Sequence, residues 1–148
     1  MHNYNVQLTW QEGRIGQLQS TELNDKITVA TPPEFDGGVP GIWSPEHLLT
    51  ASVLSCFMTT FLAIANVSKL EFETFDCEAT GVLSKVDGKF MMTEIALRPH
   101  LSITDASKME RALRILEKAE SNCLISNSIQ SKVSLRPNVT VLAPLNRA

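Results

Sequence analysis

The chain is poor in cysteine and has none of its paired motifs. Only Cys56, Cys77 and Cys123 occur in 148 residues, and no two make a CxxC pair. An odd, scattered set argues against a secreted disulfide framework and for a reducing, cytoplasmic compartment. Excess basic charge is also missing. The net charge is −3 and the sequence pI about 5.6, so nothing steers the chain to nucleic acid or to an anionic membrane surface. The N-terminus MHNYNVQLTW has neither a basic region nor an apolar core of the kind a signal peptide needs. The histidines His2, His47 and His100 show no metal-ligand spacing, and HExxH is absent, so no metal or resident cofactor is expected.

What the chain does have is one long uncharged stretch. Between Glu46 and Lys69 no Asp, Glu, Lys or Arg occurs. Ser44 is suited to cap a helix there, and Pro45 suits its first position. The run is long enough to be considered as a membrane span. Thr50, Ser52, Ser55, Thr59 and Thr60 interrupt it, however, and basic or aromatic anchors are lacking at its two ends. A buried central helix is therefore expected, apolar nearly all round.

Around that helix the periodicities predict strands. Tyr4, Val6, Leu8 and Trp10 alternate with polar residues, as in a half-buried strand. Weaker strand patterns at 15–20 and 26–31, with Ile27 and Val29 inward, complete an N-terminal meander. The stretch from Thr31 to Trp43 is rich in Pro and Gly and reads as a long loop. Beyond the helix, strands over about 71–86 and 89–103 meet at Asp87-Gly88, a hairpin signal. A slip between Phe72 and Phe75 suggests a bulge, and Pro99 an edge or terminal position. Thr104 or Asp105 can cap a second helix to about Ser121, with Met109, Ala112, Leu113 and Leu116 inward and Asn122 a left-handed stop. A last strand follows over 132–142. Strands, helix, hairpin, helix, strand in that order predict one α+β domain over 1–148.

Of the chemically capable residues, Cys56 leads. A free cysteine often merely fills space. Here Ser52, Ser55, Cys56, Thr59, Thr60 and Ala63 share a helix face of small, weakly polar side chains, while Leu54, Phe57, Met58, Phe61 and Ala65 form a separate apolar stripe. Cys123 stands just past a helix end and could resolve an oxidised first cysteine if the sulfurs meet. Cys77 reads as core filler. A reactive thiol needs a nearby cation or a helix N-terminus to lower its pKa; Cys56, in mid-helix, cannot use its own, and Arg14, in the Gly13–Gly16 turn, is the best distant candidate. His47 stands nine residues before Cys56, about 13 Å along the axis, too far for a cysteine–histidine dyad. Glu46 falls in the first turn, where it suits the helix dipole.

Taken together, the segment SPEHLLTASVLSCF, the earlier Gly13-Arg14-Ile15-Gly16 and the later Cys123-Leu124-Ile125-Ser126 resemble the OsmC/Ohr family. These are the osmotically inducible and organic hydroperoxide resistance proteins. The likeness runs through the whole chain in order, and each motif acquires specificity from that order. It implies an α+β fold, OsmC/Ohr-like, with antiparallel sheets around two long central helices in an intertwined homodimer. It implies a cysteine-based peroxidase for organic or inorganic hydroperoxides. By position, Cys56 would be the peroxidatic thiol and Cys123 the resolving one; Arg14 would stabilise the thiolate and Glu46 orient Arg14. An external dithiol, lipoylated in the best-understood branch, would reduce the disulfide. Trp43, Phe57 and Met58 would form an apolar lining that favours organic hydroperoxides. Leu124 stands where the family commonly has proline, so the chain reads as a divergent, OsmC-like member. The competing expectation is a non-enzymatic protein that binds an apolar small molecule in the dimer cleft.

Overall fold

The computed structural model describes residues 1–143. Where the sequence reads as one domain, the contacts divide the chain into two compact units, Met1–Leu49 and Thr50 onward. Each unit is described by itself.

In the first unit, β1 (Gln7–Glu12), β2 (Ile15–Gln19) and β3 (Ile27–Ala30) form an antiparallel sheet in that order. The meander is as the alternation predicts, but its burial is not. Every residue of β1 is exposed, and the expected inward residues Tyr4, Leu8 and Trp10 stand 85%, 62% and 72% exposed. Ile27 is exposed as well. The apolar face exists, but none of the described residues covers it fully. The Pro/Gly-rich segment is folded on itself by two turns, Phe35 N to Pro32 O at 3.1 Å and Gly38 N to Phe35 O at 2.9 Å, and closed by Val39 N to Thr31 O at 2.9 Å. It rejoins the sheet where the Ala30 amide donates to Trp43 O at 2.9 Å. Helix α1 (Pro45–Val67) then starts where Ser44 and Pro45 place it. Ser44 Oγ accepts the His47 amide at 3.1 Å and shares a 2.6 Å hydrogen bond with His47 Nδ1.

In the second unit, β4 (Thr74–Val86) and β5 (Lys89–Ile103) make the long hairpin. Asp87 and Gly88 take φ values of 51° and 78°, the conformation in which a two-residue turn follows the twist of its strands. The ladder does contain a bulge, between Val82 and Leu83 rather than near Phe72. Gly81 is required by close approach, since a Cβ there would overlap the Thr50 side chain and come within 2.7 Å of Met92 Cε.

The last strand differs from expectation in two ways. Pro137 divides it into β6 (Lys132–Leu135) and β7 (Asn138–Val141), and both pair parallel to β5, so this sheet is mixed. Pro99 is consequently in a middle strand. The position is tolerated because the β6 ladder ends at Leu97 and the β7 ladder begins at His100, leaving Pro99 at the break.

Helix α2 (Met109–Ser121) follows a single 3₁₀ turn that Asp105 caps, its carboxylate accepting Ser107 N at 3.0 Å and Ser107 Oγ at 2.6 Å. Its buried stripe is Ala112, Ile115, Leu116 and Ala119. Asn122 ends it at φ −102°, without the left-handed turn expected there.

Against the strands α1 buries one stripe, Val53, Phe57, Phe61 and Ala65. Phe61 stacks on Phe75 at 4.7 Å between ring centroids and meets Phe72 at 5.5 Å, while Phe57 lies 6.2 Å from Phe75. Burying each such ring contributes roughly 1.5–3 kcal/mol. By length and apolarity α1 satisfies the requirements of a membrane span, yet here that stripe is engaged by protein. The expectation of a helix buried all round is corrected: Ser55, Met58, Thr59, Leu62, Ala63 and Asn66 are exposed.

Candidate functional site: a thiol pair between two helices

Two ties set α1 and α2 side by side. Arg111 Nη2 donates to the Ser68 carbonyl just past the end of α1, and the Cys123 thiol hydrogen-bonds Cys56. Ser68 lies twelve residues after Cys56, and Cys123 twelve after Arg111. Each separation is about 18 Å at helical rise, so the two ties together mean that the helices run antiparallel. The spacing carries the signal that unites the cysteines. The sequence alone could not reveal it without knowing which residue Arg111 reaches.

The two thiols are not equivalent. Cys56 is half-buried, whereas Cys123 is fully buried, its amide bonded to Glu120 O at 3.2 Å and its carbonyl accepting Asn127 N at 3.1 Å. Burial pushes the Cys56 thiol up. Hydrogen bonds from Cys123, from the backbone at Ile125, from Thr60 and from the backbone at Leu124 together outweigh it and hold the thiol below its usual value. Thr60 Oγ1, one turn on along α1, stands 3.9 Å from Cys56 Sγ. Cys123 moves the other way. Burial raises it most, the Ser126 hydroxyl and amide pull it down, and the neighbouring Cys56 thiolate raises it again. Ser126 Oγ is buried and meets no conventional partner among the described residues, so the soft Cys123 sulfur is the acceptor it serves. Such an arrangement makes Cys56 the readier of the two thiols to lose its proton and Cys123 the readier to keep it.

Thr60, Ser126 and the Leu124–Ile125 backbone were not among the residues singled out as functional. Their signal in sequence is slight: a hydroxyl one turn from Cys56, and a short turn directly after Cys123.

The remaining expected site residues fall elsewhere. Phe57 is not a pocket wall; it is wholly buried in the core against Phe75. Met58, 40% exposed, does line a cleft of about 420 Å³ with Ala51, Leu54, Phe75 and Cys77. Cys77, expected as core filler, is half-buried in that cleft, and its thiol, pushed up chiefly by burial to about 11, stays protonated. In the first unit, Trp43 is 52% exposed and packs edge-on against His47, ring centroids 6.2 Å apart. Arg14 is exposed and drawn across Gly37, where a Cβ would come within 3.1 Å of its Cγ and 3.2 Å of its Nε. Gly37 has φ +75°, which independently favours glycine there. Glu46 is half-buried in the first turn of α1. Among the described residues, no cluster of three or more His, Cys, Asp or Glu is placed to hold a metal ion.

The class of protein is thus an α+β fold that brings a fully buried thiol, just past the end of a second helix, within hydrogen-bonding reach of a half-buried thiol on a first. The family profile of OsmC-like proteins matches residues 37–138, and the chain belongs to that family. It is 31% identical over 145 residues to the protein YmaD of Bacillus subtilis (strain 168), spanning 95% of both chains. It is 28% identical over 94 residues to the peroxiredoxin OsmC of Escherichia coli (strain K12), covering 62% of this chain and 64% of that one. Among solved structures, an OsmC-like protein from Vibrio cholerae superposes with a TM-score of 0.82 at 25% identity, over 93% of this chain and 99% of the other. An organic hydroperoxide resistance protein from Legionella pneumophila does so with a TM-score of 0.69 at 27% identity, over 95% and 100%.

Proposed function

We propose that the protein is a thiol peroxidase that reduces organic hydroperoxides in the cytoplasm as part of oxidative-stress defence. The observation that carries this reading is the Cys56–Cys123 pair, two thiols in hydrogen-bonding reach whose proton affinities are driven apart. The naming of relatives as a peroxiredoxin and as a hydroperoxide resistance protein supports it.

The Cys56 thiolate attacks one peroxide oxygen and the O–O bond breaks. The leaving alkoxide takes a proton and departs as alcohol, and Cys56 becomes a sulfenic acid. Cys123 sulfur then attacks the Cys56 sulfur, giving a disulfide and water. An external dithiol, of lipoyl type, restores both thiols and is itself oxidised to a disulfide. Arg14 would polarise the peroxide and Glu46 would orient Arg14. Trp43 and Met58 would offer the apolar surface an organic hydroperoxide needs.

The working form would be a homodimer. Supporting this, Met58 and Leu62 are each 40% exposed on α1, and Trp10 on β1 is 72% exposed. Moreover, Glu46 and Cys56 are ten residues apart, about 15 Å along one helix, so a partner helix packed antiparallel near Ala51 would bring Glu46 level with Cys56 of the other copy. A monomer in sedimentation analysis would sink the dimer.

The decisive test is dithiol-dependent consumption of cumene hydroperoxide by wild type, Cys56→Ser and Cys123→Ser. Loss in Cys56→Ser is expected. Equal background rates in all three would leave a non-catalytic protein with an apolar cleft as the better reading.

A further inference from the structure

Resting on the disulfide cycle just proposed, a residue beyond the two cysteines is drawn into its second step. Cys123 must give up its proton to attack the Cys56 sulfenic acid, yet it is 0% exposed and burial raises its thiol. A group inside the protein has to meet the charge that forms there.

Ser126 stands where such a group is needed. The turn after α2 is fixed by Asn127 N to Cys123 O at 3.1 Å, Ser128 N to Ile125 O at 3.0 Å and Ser128 Oγ to Leu124 O at 2.6 Å. Cys123 and Ser126 are three apart on one helical turn, which puts both side chains on one side. Ser126 Oγ is buried, has no nitrogen or oxygen partner among the described residues, and lies within reach of the Cys123 sulfur. A buried hydroxyl without a strong acceptor is costly. Its hydrogen bond becomes strong only when negative charge forms beside it. We infer that the Ser126 hydroxyl is the donor that stabilises the Cys123 thiolate as the Cys56–Cys123 bond forms, and that it takes effect once oxidation has removed the charge from Cys56.

The order of events follows from charge. While Cys56 is a thiolate, its charge raises Cys123 and holds the proton there. A sulfenic acid is neutral, so that repulsion ends with the peroxide step, leaving burial for the Ser126 hydroxyl and amide to offset. Cys123 sulfur attacks Cys56 sulfur, the S–O bond breaks, and the departing hydroxide takes the Cys123 proton to leave as water. Ser126 donates a hydrogen bond throughout and keeps its own proton. From α1 the titratable group facing Cys123 is Cys56; the 3₁₀ turn Ser126–Ser128 and β7 carry no charged residue, and α2 ends with Glu117, Lys118 and Glu120. These three, and Arg14 and Glu46 assigned above to Cys56, are the same in every protein compared below.

Ionisation is read without peroxide. In a Cys56→Ser, Cys77→Ser background Cys123 is the last thiol, and the ultraviolet absorbance of its thiolate is followed against pH. Adding Ser126→Ala should raise the midpoint by about one unit, and Ser126→Thr should restore it. Closure is read by acid quenching and peptide mass after cumene hydroperoxide, with Ser126 varied alone. Loss of the Cys56 thiol should proceed at the wild-type rate in Ser126→Ala. The disulfide should form about threefold more slowly, a roughly tenfold smaller thiolate fraction being partly offset by a more nucleophilic thiolate, with correspondingly more Cys56 sulfinic acid. An unmoved midpoint, unchanged closure, or a slowing of both steps that Ser126→Thr does not recover would each overturn the inference. Diamide separates it from the peroxidase reading, because it also leaves Cys56 uncharged, as an adduct from which Cys123 displaces the hydrazine. Slower closure of Ser126→Ala with saturating diamide, together with intact thiols under cumene hydroperoxide, would sink the peroxidase reading and leave the role of Ser126 standing.

Discussion

Cys56 and Cys77 are both half-buried thiols of the second unit. Desolvation is the largest influence on each and raises both. They diverge in what opposes it. Cys77 lies in a regular ladder opposite Pro99, where the strand's amides are committed to cross-strand pairing, and Arg98 offsets burial only partly. Cys56 faces the turn after α2, where Cys123 and the backbone of Leu124 and Ile125 donate, and Thr60 on its own helix adds a further hydrogen bond. A thiol is activated less by being exposed than by meeting donors that the secondary structure leaves uncommitted.

Breaking that contrast at its strongest point gives the largest effect. Cys56→Ser should reduce dithiol-dependent turnover of cumene hydroperoxide by about a hundredfold or more, since serine is far less nucleophilic. Cys77→Ser should leave it near wild type. Loss in both variants would show that the difference in environment has no functional weight. Alkylation comes next. Thiolate fraction at neutral pH differs by tenfold per unit of pKa, and Cys77 stands at about 11 while Cys56 lies below its ordinary 9.0. At pH 7.5, iodoacetamide should therefore label Cys56 about tenfold or more faster than Cys77, the larger thiolate fraction being partly offset by a lower-pKa thiolate's weaker nucleophilicity, measured by peptide mass in the reduced protein. Comparable rates would contradict the geometry.

Much of this arrangement was legible in the residues, for local reasons. Ser44 and Pro45 start α1, Asp87-Gly88 closes the hairpin, and Asp105 caps the turn before α2 through short-range chemistry that any fold would respect. Cys56 and Cys123 could be paired only through family resemblance, because their meeting depends on how α2 lies against α1. What misled was burial. The apolarity of α1 does not say whether this chain or another surface covers Met58 and Leu62, and the alternation of Tyr4, Leu8 and Trp10 is silent on the same point. Strand direction was likewise hidden: period-two patterning is identical in parallel and antiparallel ladders, so β6 and β7 had to be seen. Phe57 fell into the core because it shares the stripe of Val53 and Phe61, one step away from Met58 around the helix.

A finer probe removes one donor from the active side of the comparison. Thr60→Val keeps the shape but deletes the hydroxyl that stands 3.9 Å from Cys56 Sγ. With Cys123 and two backbone groups still in place, the Cys56 thiol should rise only slightly, and its alkylation rate at pH 7 should fall about two- to threefold. An unchanged rate would assign the lowering to Cys123 and the turn alone.

The smallest effect is expected on the inert side, in stability. Cys77 releases its proton at about 11 in the folded chain, against an ordinary value of 9.0. Between those values the unfolded chain has lost the proton and the folded one has kept it, so the folded state binds more protons and stability must fall as pH rises. The contribution is fully present below about pH 9 and gone once the pH passes about 11. Valine has nearly the thiol's volume and no proton to lose. Urea midpoints of Cys77→Val and wild type, followed from pH 8 to 11, should accordingly diverge, with the wild type declining more steeply. Every other group is common to both proteins, so the difference between them isolates Cys77. Parallel midpoints across the whole range would mean that the cleft beside Cys77 is wet enough to solvate a thiolate. The contrast with Cys56 would then rest on the donors around Cys56 alone.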